Sequence, residues 1–182
     1  MKTNKFTLTA SFVFAFMCFT ASSQVNPNAI FSDVDDTKQY DVLALAKMDS
    51  NLSTFAELAE MSGLATSIDL ADDYTVFIPT NDAFTQLTKE KYSELTDSSN
   101  KVMLINILKR HFLPNKVYST DFNDSQVIDT NGDENISVSK TSLGNTIFIG
   151  GAQVIKADVD ASNGVIHIVD RVVEANTDVL TN

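Results

Sequence analysis

His111 and His167 are the two residues of this 182-residue chain best suited to acid–base or metal chemistry. Two imidazoles with nearby carboxylates could hold zinc, but no ligand spacing links this pair. A Ser-His-Asp arrangement would draw on His167 and Asp170, yet a three-residue offset along one strand sends the two to opposite faces. Asp129-Thr130-Asn131-Gly132-Asp133 superficially resembles a calcium loop. Its register fails, because Glu134 stands where the sharp turn needs glycine and Lys140 where the bidentate glutamate belongs. A loose surface calcium contact is the most it supports, and a solvated acidic hairpin is the simpler reading. The single cysteine, Cys18, excludes an intrachain disulfide and any Cys-rich zinc site. No Gly-rich phosphate loop, Gly-x-Ser-x-Gly elbow or His-Glu-x-x-His pair occurs, and Gly150-Gly151 reads as a turn between strands. The residues thus predict no catalytic site, no metal site and no cofactor.

Charge narrows the function classes further. Thirteen Lys and Arg stand against 24 Asp and Glu, a formal net charge of −11. That sign argues against a nucleic-acid partner, whose phosphates need clustered positive charge. Residues 1–23 have the layout of a secretory signal peptide: Lys2 and Lys5, an uncharged apolar run from Phe6 to Thr20, then the small residues Ala21-Ser22-Ser23. The expectation is an exported chain starting at Gln24, free of cysteine, with no transmembrane segment after cleavage and located in the periplasm, at the cell surface or outside the cell. Such a chain must fold on packing alone. Asp33, Asp35, Asp36, Asp69, Asp72 and Asp73 read as solubilising loop charge. Sequons begin at Asn51, Asn123 and Asn135, and matter only if the export route glycosylates.

The elements that must position these residues follow from periodicity. Residues 24–37 are polar, acidic and weakly patterned, a lead segment. Lys38 to Lys47 carries helical spacing. A second helix starts between Ser50 and Ser53 and runs through Met61, with Gly63 as its left-handed cap and Leu64 packing back. Thr75-Val76-Phe77-Ile78 is a short strand stopped by Pro79. Thr80, Asn81 and Asp82 then offer capping groups to a helix start. Val102, Ile105, Leu108 and Phe112 mark one face of a further helix ending near Pro114. Beyond Val117 the pattern is sheet, with tight-turn signals at Asn131-Gly132, Gly144-Asn145, Gly150-Gly151 and Asn163-Gly164. The closing run Val165–Val173 is so β-branched that it should lie inside the sheet, with Ile166 and Ile168 on one face and His167 on the other. Helices first and hairpin-linked strands later predict an α+β fold in a single domain, with N-terminal helices packed on the sheet.

Two blocks of this sequence resemble a known family. Thr75-Val76-Phe77-Ile78-Pro79-Thr80-Asn81-Asp82-Ala83-Phe84 resembles the first signature block of the fasciclin-like domain, and Asn163-Gly164-Val165-Ile166-His167-Ile168-Val169-Asp170-Arg171-Val172-Val173 its second. Ile107-Leu108-Lys109-Arg110-His111 resembles the central block, with Arg110 in place of the family's usual tyrosine. The opening helix, Leu52 to Leu64, matches as well. The resemblance spans about residues 38–175, leaving 176–182 as a short tail. It implies a compact α+β domain with a twisted, two-part sheet wedge, acting non-catalytically in cell adhesion or matrix and envelope interaction. Thr80, Asn81, Asp82, His111, Asn163, Gly164, His167 and Asp170 are then structural signature residues. Integrin-binding motifs of animal members have no evident copy here. The partner would be a surface or matrix protein, or a polysaccharide, met by a monomer. Two other readings are carried: a carbohydrate-binding matrix component, which needs exposed aromatics such as Tyr118 or Phe122 near a groove, and a small secreted hydrolase using His167 or His111.

Overall fold

A computed structural model of the chain describes residues 25–64, 73–130, 134–141 and 146–176. The signal-like segment, the acids Asp69 and Asp72, the turns at Asn131-Gly132 and Gly144-Asn145 and the last six residues lie outside these. The described helices are α1 (Val42–Met48), α2 (Ser53–Ser62), α3 (Asn81–Thr85), α4 (Lys89–Thr96) and α5 (Lys101–Lys109). Strands β1 (Tyr74–Pro79), β2 (Phe112–Pro114), β3 (Gln126–Asp129), β4 (Asn135–Lys140), β5 (Ile147–Ile149), β6 (Ala152–Ala161) and β7 (Gly164–Val169) form one sheet. Its order is β2-β1-β7-β6-β5-β4-β3. The fold is α+β.

The sheet has two parts joined through β6. The amino end of β6 pairs with β5 at Gln153 and Ala152. Its longer remainder pairs with β7 through register shifts on either side of Lys156. Such bulges bend a strand and increase its twist, which curves the sheet along β6. β7 sits between β1, which it pairs in parallel, and β6, which it pairs antiparallel. Both β1 and β7 are buried at every position. Alternation then divides the core. Val76, Ile78, Ile166 and Ile168 pack with the helices, against Leu45, Phe55, Leu104 and Leu108. Phe77 and Val169 pack on the opposite face with Leu113, Phe122, Ile136, Ile149 and Val173.

Several boundaries differ from the sequence reading, each for a physical reason. The helix expected to run toward Pro114 ends at Lys109. Phe112–Pro114 instead pairs with β1 as an edge strand, where Pro114 needs no ladder donor. The face of that helix turned to the core carries Leu104 and Leu108, whereas Val102 is 73% exposed. β7 stops at Val169, four residues short of the β-branched run. Val173 leaves the ladder because its side chain fills the second core and its N–H finds His111. The lead segment is not merely polar: Ile30 and Phe31 are buried among the helices. Phe31 N–H donates to Asp49 Oδ2 (2.8 Å), and Lys156 Nζ donates to the Ile30 carbonyl (2.5 Å). As expected, Gly63 closes α2 in the left-handed region, at φ 70°.

Candidate functional site

The signature residues lie at the junctions of the elements just described, and the side chains of Asn81, His111, Asn163, His167 and Asp170 each hold at least one main-chain group. Asn81 opens α3, but its side chain serves α2. Its Oδ1 accepts from Thr54 N–H (3.0 Å), and its Nδ2 donates to the Ser50 carbonyl (2.8 Å). Leu52, at the start of α2, has no capping side chain of its own, so Asn81 supplies the acceptor from a distant segment. Thr80 was expected to cap the helix it precedes. It takes the right extended backbone, yet its hydroxyl makes no cap hydrogen bond, and its N–H goes to the Val169 carbonyl (3.2 Å). Asp82 contributes through its backbone, accepting from Thr85 Oγ1. Asn163 repeats the device of Asn81: its Oδ1 accepts from Val42 N–H at the start of α1 (3.0 Å), and its Nδ2 donates to Tyr74 Oη (2.9 Å). Burial, with the Asp41 carboxylate nearby, pushes that phenol up to about 12. Asp170 binds Gln153 twice, with Oδ1 accepting from its N–H (2.7 Å) and N–H donating to its carbonyl (3.0 Å).

The two histidines are the titratable side chains buried most completely among the described residues. His111 is 1% exposed, with Nδ1 at 2.9 Å from the Ile107 carbonyl and Nε2 accepting from Val173 N–H (3.1 Å). These partners fix a neutral ring with the proton on Nδ1. His167 is 0% exposed and has the other tautomer. Its Nε2 lies 2.9 Å from the Val117 carbonyl, and Nδ1 accepts from Asp158 N–H (3.3 Å). The ring stacks on Phe77, with centroids 5.6 Å apart, and meets the edge of Phe122. Burial dominates both titrations, taking His111 down to about 4 and holding His167 below the usual imidazole range.

Asp158 was not singled out from the sequence. It sits at φ 60° in the bulged part of β6, and its carboxylate takes both Ser119 N–H (2.7 Å) and Ser119 Oγ. His167 and Asp158 therefore hold the same loop, residues 117–122, from two sides. Serine, aspartate and histidine do meet here, but in an order that cannot run acyl transfer. The serine hydroxyl is spent on the carboxylate, and the imidazole nitrogen that would activate it faces a carbonyl instead. Among the described residues, both ring nitrogens of each histidine face main-chain groups and not a serine hydroxyl, which gives the hydrolase reading no support. Phe122, a proposed sugar platform, is 2% exposed because it completes the apolar wall around His167, and Tyr118 Oη is bonded to Asp160. Arg110, which stands where the family has tyrosine, pairs through two nitrogens with Glu134 and so ties α5 to the β3–β4 hairpin. Among the described residues no group of three His, Cys, Asp or Glu is placed to hold a metal ion, and no helix is long and apolar enough to cross a membrane.

A pH dependence follows from these two rings. A histidine whose folded pKa lies below its unfolded value, near 6.5, leaves the unfolded chain holding more protons between the two pKa values. Stability is then complete above about pH 6.5 and falls as pH drops below it, down to about 4 for His111, at up to ~1.4 kcal/mol per pH unit for each ring while it titrates. Urea midpoints measured from pH 7.5 to 4.5 should decline across that window. A flat profile would contradict the buried neutral rings.

The fasciclin domain model matches residues 50–175, and the chain belongs to the fasciclin domain family. The family is broadly linked to adhesion and extracellular-matrix roles. Protein sll1483 of Synechocystis sp. is 29% identical over 91% of this chain and 97% of its own length. Immunogenic protein MPB70 of Mycobacterium bovis is 30% identical over 78% of this chain and 72% of its own. Human periostin is 26% identical over 78% of this chain, which spans 17% of periostin. The fold is similar to that of a FAS1 domain pair from the insect cell adhesion molecule Fasciclin I, with a TM-score of 0.65 and 18% identity over 74% of this chain and 50% of that one.

Proposed function

We propose that this chain is an exported, non-catalytic adhesion module that binds a surface or matrix protein and acts as a monomer. The observation that supports the reading most is the use made of the family's polar residues. His111, Asn163, His167 and Asp170 each bind a main-chain group through the side chain, which supports an architectural role for the blocks that define the family. Binding then falls to the outer surface. The name of the insect relative, a cell adhesion molecule, points the same way. Export rests on the charged, apolar and small-residue layout of residues 1–23.

Immobilised chain offered an array of matrix and envelope proteins beside a glycan array tests the reading. Saturable binding to a protein is expected, with no turnover of ester, peptide or glycoside substrates. Turnover that disappears in a His167→Asn variant, or binding confined to glycans, would overturn it.

A further inference from the structure

His167 is buried and neutral, yet it lies against a carboxylate that is already in use. Its Nδ1 is 3.9 Å from Asp158 Oδ1, while that carboxylate accepts from Ser119 N–H (2.7 Å) and from Ser119 Oγ. The ring is fully enclosed, but the Asp158 side chain is 36% exposed, so water reaches the carboxylate. From β1 the ring meets Phe77, from the 117–122 loop the Val117 carbonyl and Phe122, and from β6 Asp158. Of these only Asp158 titrates. The charged groups next along the same loop and strands have partners elsewhere: Lys116 has Asp73, Asp121 the Tyr118 N–H, Asp160 Tyr118 Oη and Lys38, and Asp170 the Gln153 N–H.

Protonation changes what this cluster can do. Neutral His167 accepts from Asp158 N–H at Nδ1 (3.3 Å) and donates from Nε2 to the Val117 carbonyl (2.9 Å). A proton on Nδ1 makes both nitrogens donors, so Nδ1–H would face the Asp158 N–H, donor against donor. Val117 still satisfies Nε2. For the new N–H and its buried positive charge the nearest carboxylate oxygen is Asp158 Oδ1, across a gap too long for a hydrogen bond. Closing that gap takes the carboxylate off Ser119. Asp158 stands in the irregular stretch of β6 between Lys156 and Val159, at φ 60°, where no regular ladder pairing holds it in place.

We infer that His167, Asp158 and Ser119 form an acid-operated latch: a proton taken from water at His167 Nδ1 draws the Asp158 carboxylate from Ser119 to the ring and frees residues 119–122, while β1, β6 and β7 stay paired. Phe122, 2% exposed with the latch shut, is the apolar surface that release uncovers. Burial holds the ring below the usual imidazole range, so the latch is shut at neutral pH and opens below that range. The device is independent of what the chain binds.

NMR of the folded, isotope-labelled chain from pH 7.5 to 4.5 tests it. The Ser119 amide proton should move upfield as it loses the carboxylate, with the same pH midpoint as the His167 ring nitrogens. Its protection against hydrogen exchange should fall at least tenfold further than that of the Val76 and Ile166 amides. Asp158→Asn should remove the step, because asparagine tolerates the positive φ and can still accept from Ser119 but offers the ring no charge. His167→Gln should remove it as well, since nothing at that position then titrates. A Ser119 amide that does not move with the ring would overturn the latch. So would a step that persists in His167→Gln, which would make protonation of Asp158 itself the cause, or one that persists in Asp158→Asn. If His167→Gln does not fold, the Asp158→Asn comparison decides alone.

Discussion

Replacing His167 by leucine should lower stability by about 3 kcal/mol and broaden the unfolding transition. Leucine preserves much of the volume between Phe77 and Phe122 but makes neither hydrogen bond. The Val117 carbonyl and the Asp158 N–H, both at part-buried hydrogen bonds, would lose the ring that satisfies them. Each lost hydrogen bond costs ~1 kcal/mol, and loss of the ring contacts adds ~1 kcal/mol more. Loop 117–122 would keep only its Asp158–Ser119 hold, so it should loosen before the sheet does. Urea denaturation followed by both far-UV circular dichroism and tyrosine fluorescence reads both effects. An unchanged midpoint would show that His167 is not an architectural residue.

A methyl group added at Gly164 should be nearly as costly. Gly164 is the first residue of β7 and pairs in parallel with Tyr74 of β1. A Cβ there would fall well inside contact distance of the Tyr74 carbonyl oxygen, and it would also press on Val42. The obstacle is backbone, which no side-chain rotation relieves, so the two central strands must part or shift. Overpacking of this kind costs ~1–3 kcal/mol, and loss of the adjacent Asn163 contacts to Val42 and Tyr74 would add to it. Gly151 supplies the contrast. Its φ of 79° is one that side chains rarely adopt, yet a Cβ there meets nothing within 4 Å. Gly151→Ala should therefore cost only backbone strain, ~1 kcal/mol. At ~2–4 °C per kcal/mol for a chain of this size, thermal melts should separate the two variants clearly. A Gly164→Ala melt equal to that of Gly151→Ala would contradict the close packing of β1 on β7.

The sequence was legible where one local pattern had one outcome. The β-branched run after Asn163 could be satisfied only inside a sheet, and alternation placed Ile166 and Ile168 opposite His167. Gly63 was readable because helix closure in the left-handed region favours glycine. Legibility failed where a residue's partner is distant in the chain. Asn81 stands before one helix and caps another, which no N-cap rule anticipates. The parallel pairing of β1 with β7 joins segments about ninety residues apart, and that pairing left Phe112 to begin an edge strand instead of extending α5. Ile30 and Phe31, isolated apolar residues in an acidic stretch, carried no periodicity to reveal their burial. Phe122 looked like a surface aromatic for the same reason. The spacing of Val102 to Ile105 and Leu108 reveals a helix, but the face turned to the core is rotated to Leu104 and Leu108 and leaves Val102 exposed. Asp158 gave no signal at all, since its role depends on a bulge.

The central claim is that the family's signature side chains, above all the two imidazoles, are spent on holding the main chain. Nitrogen-15 NMR of the histidine rings in the folded protein tests it most directly. The account gives opposite neutral tautomers at pH 7.5, with the proton on Nδ1 of His111 and on Nε2 of His167, and protonation of both only below the ordinary imidazole range. A ring that titrates near 6.5, or a protonated ring at neutral pH beside a carboxylate, would mean an accessible imidazole free for chemistry, and the account would fail.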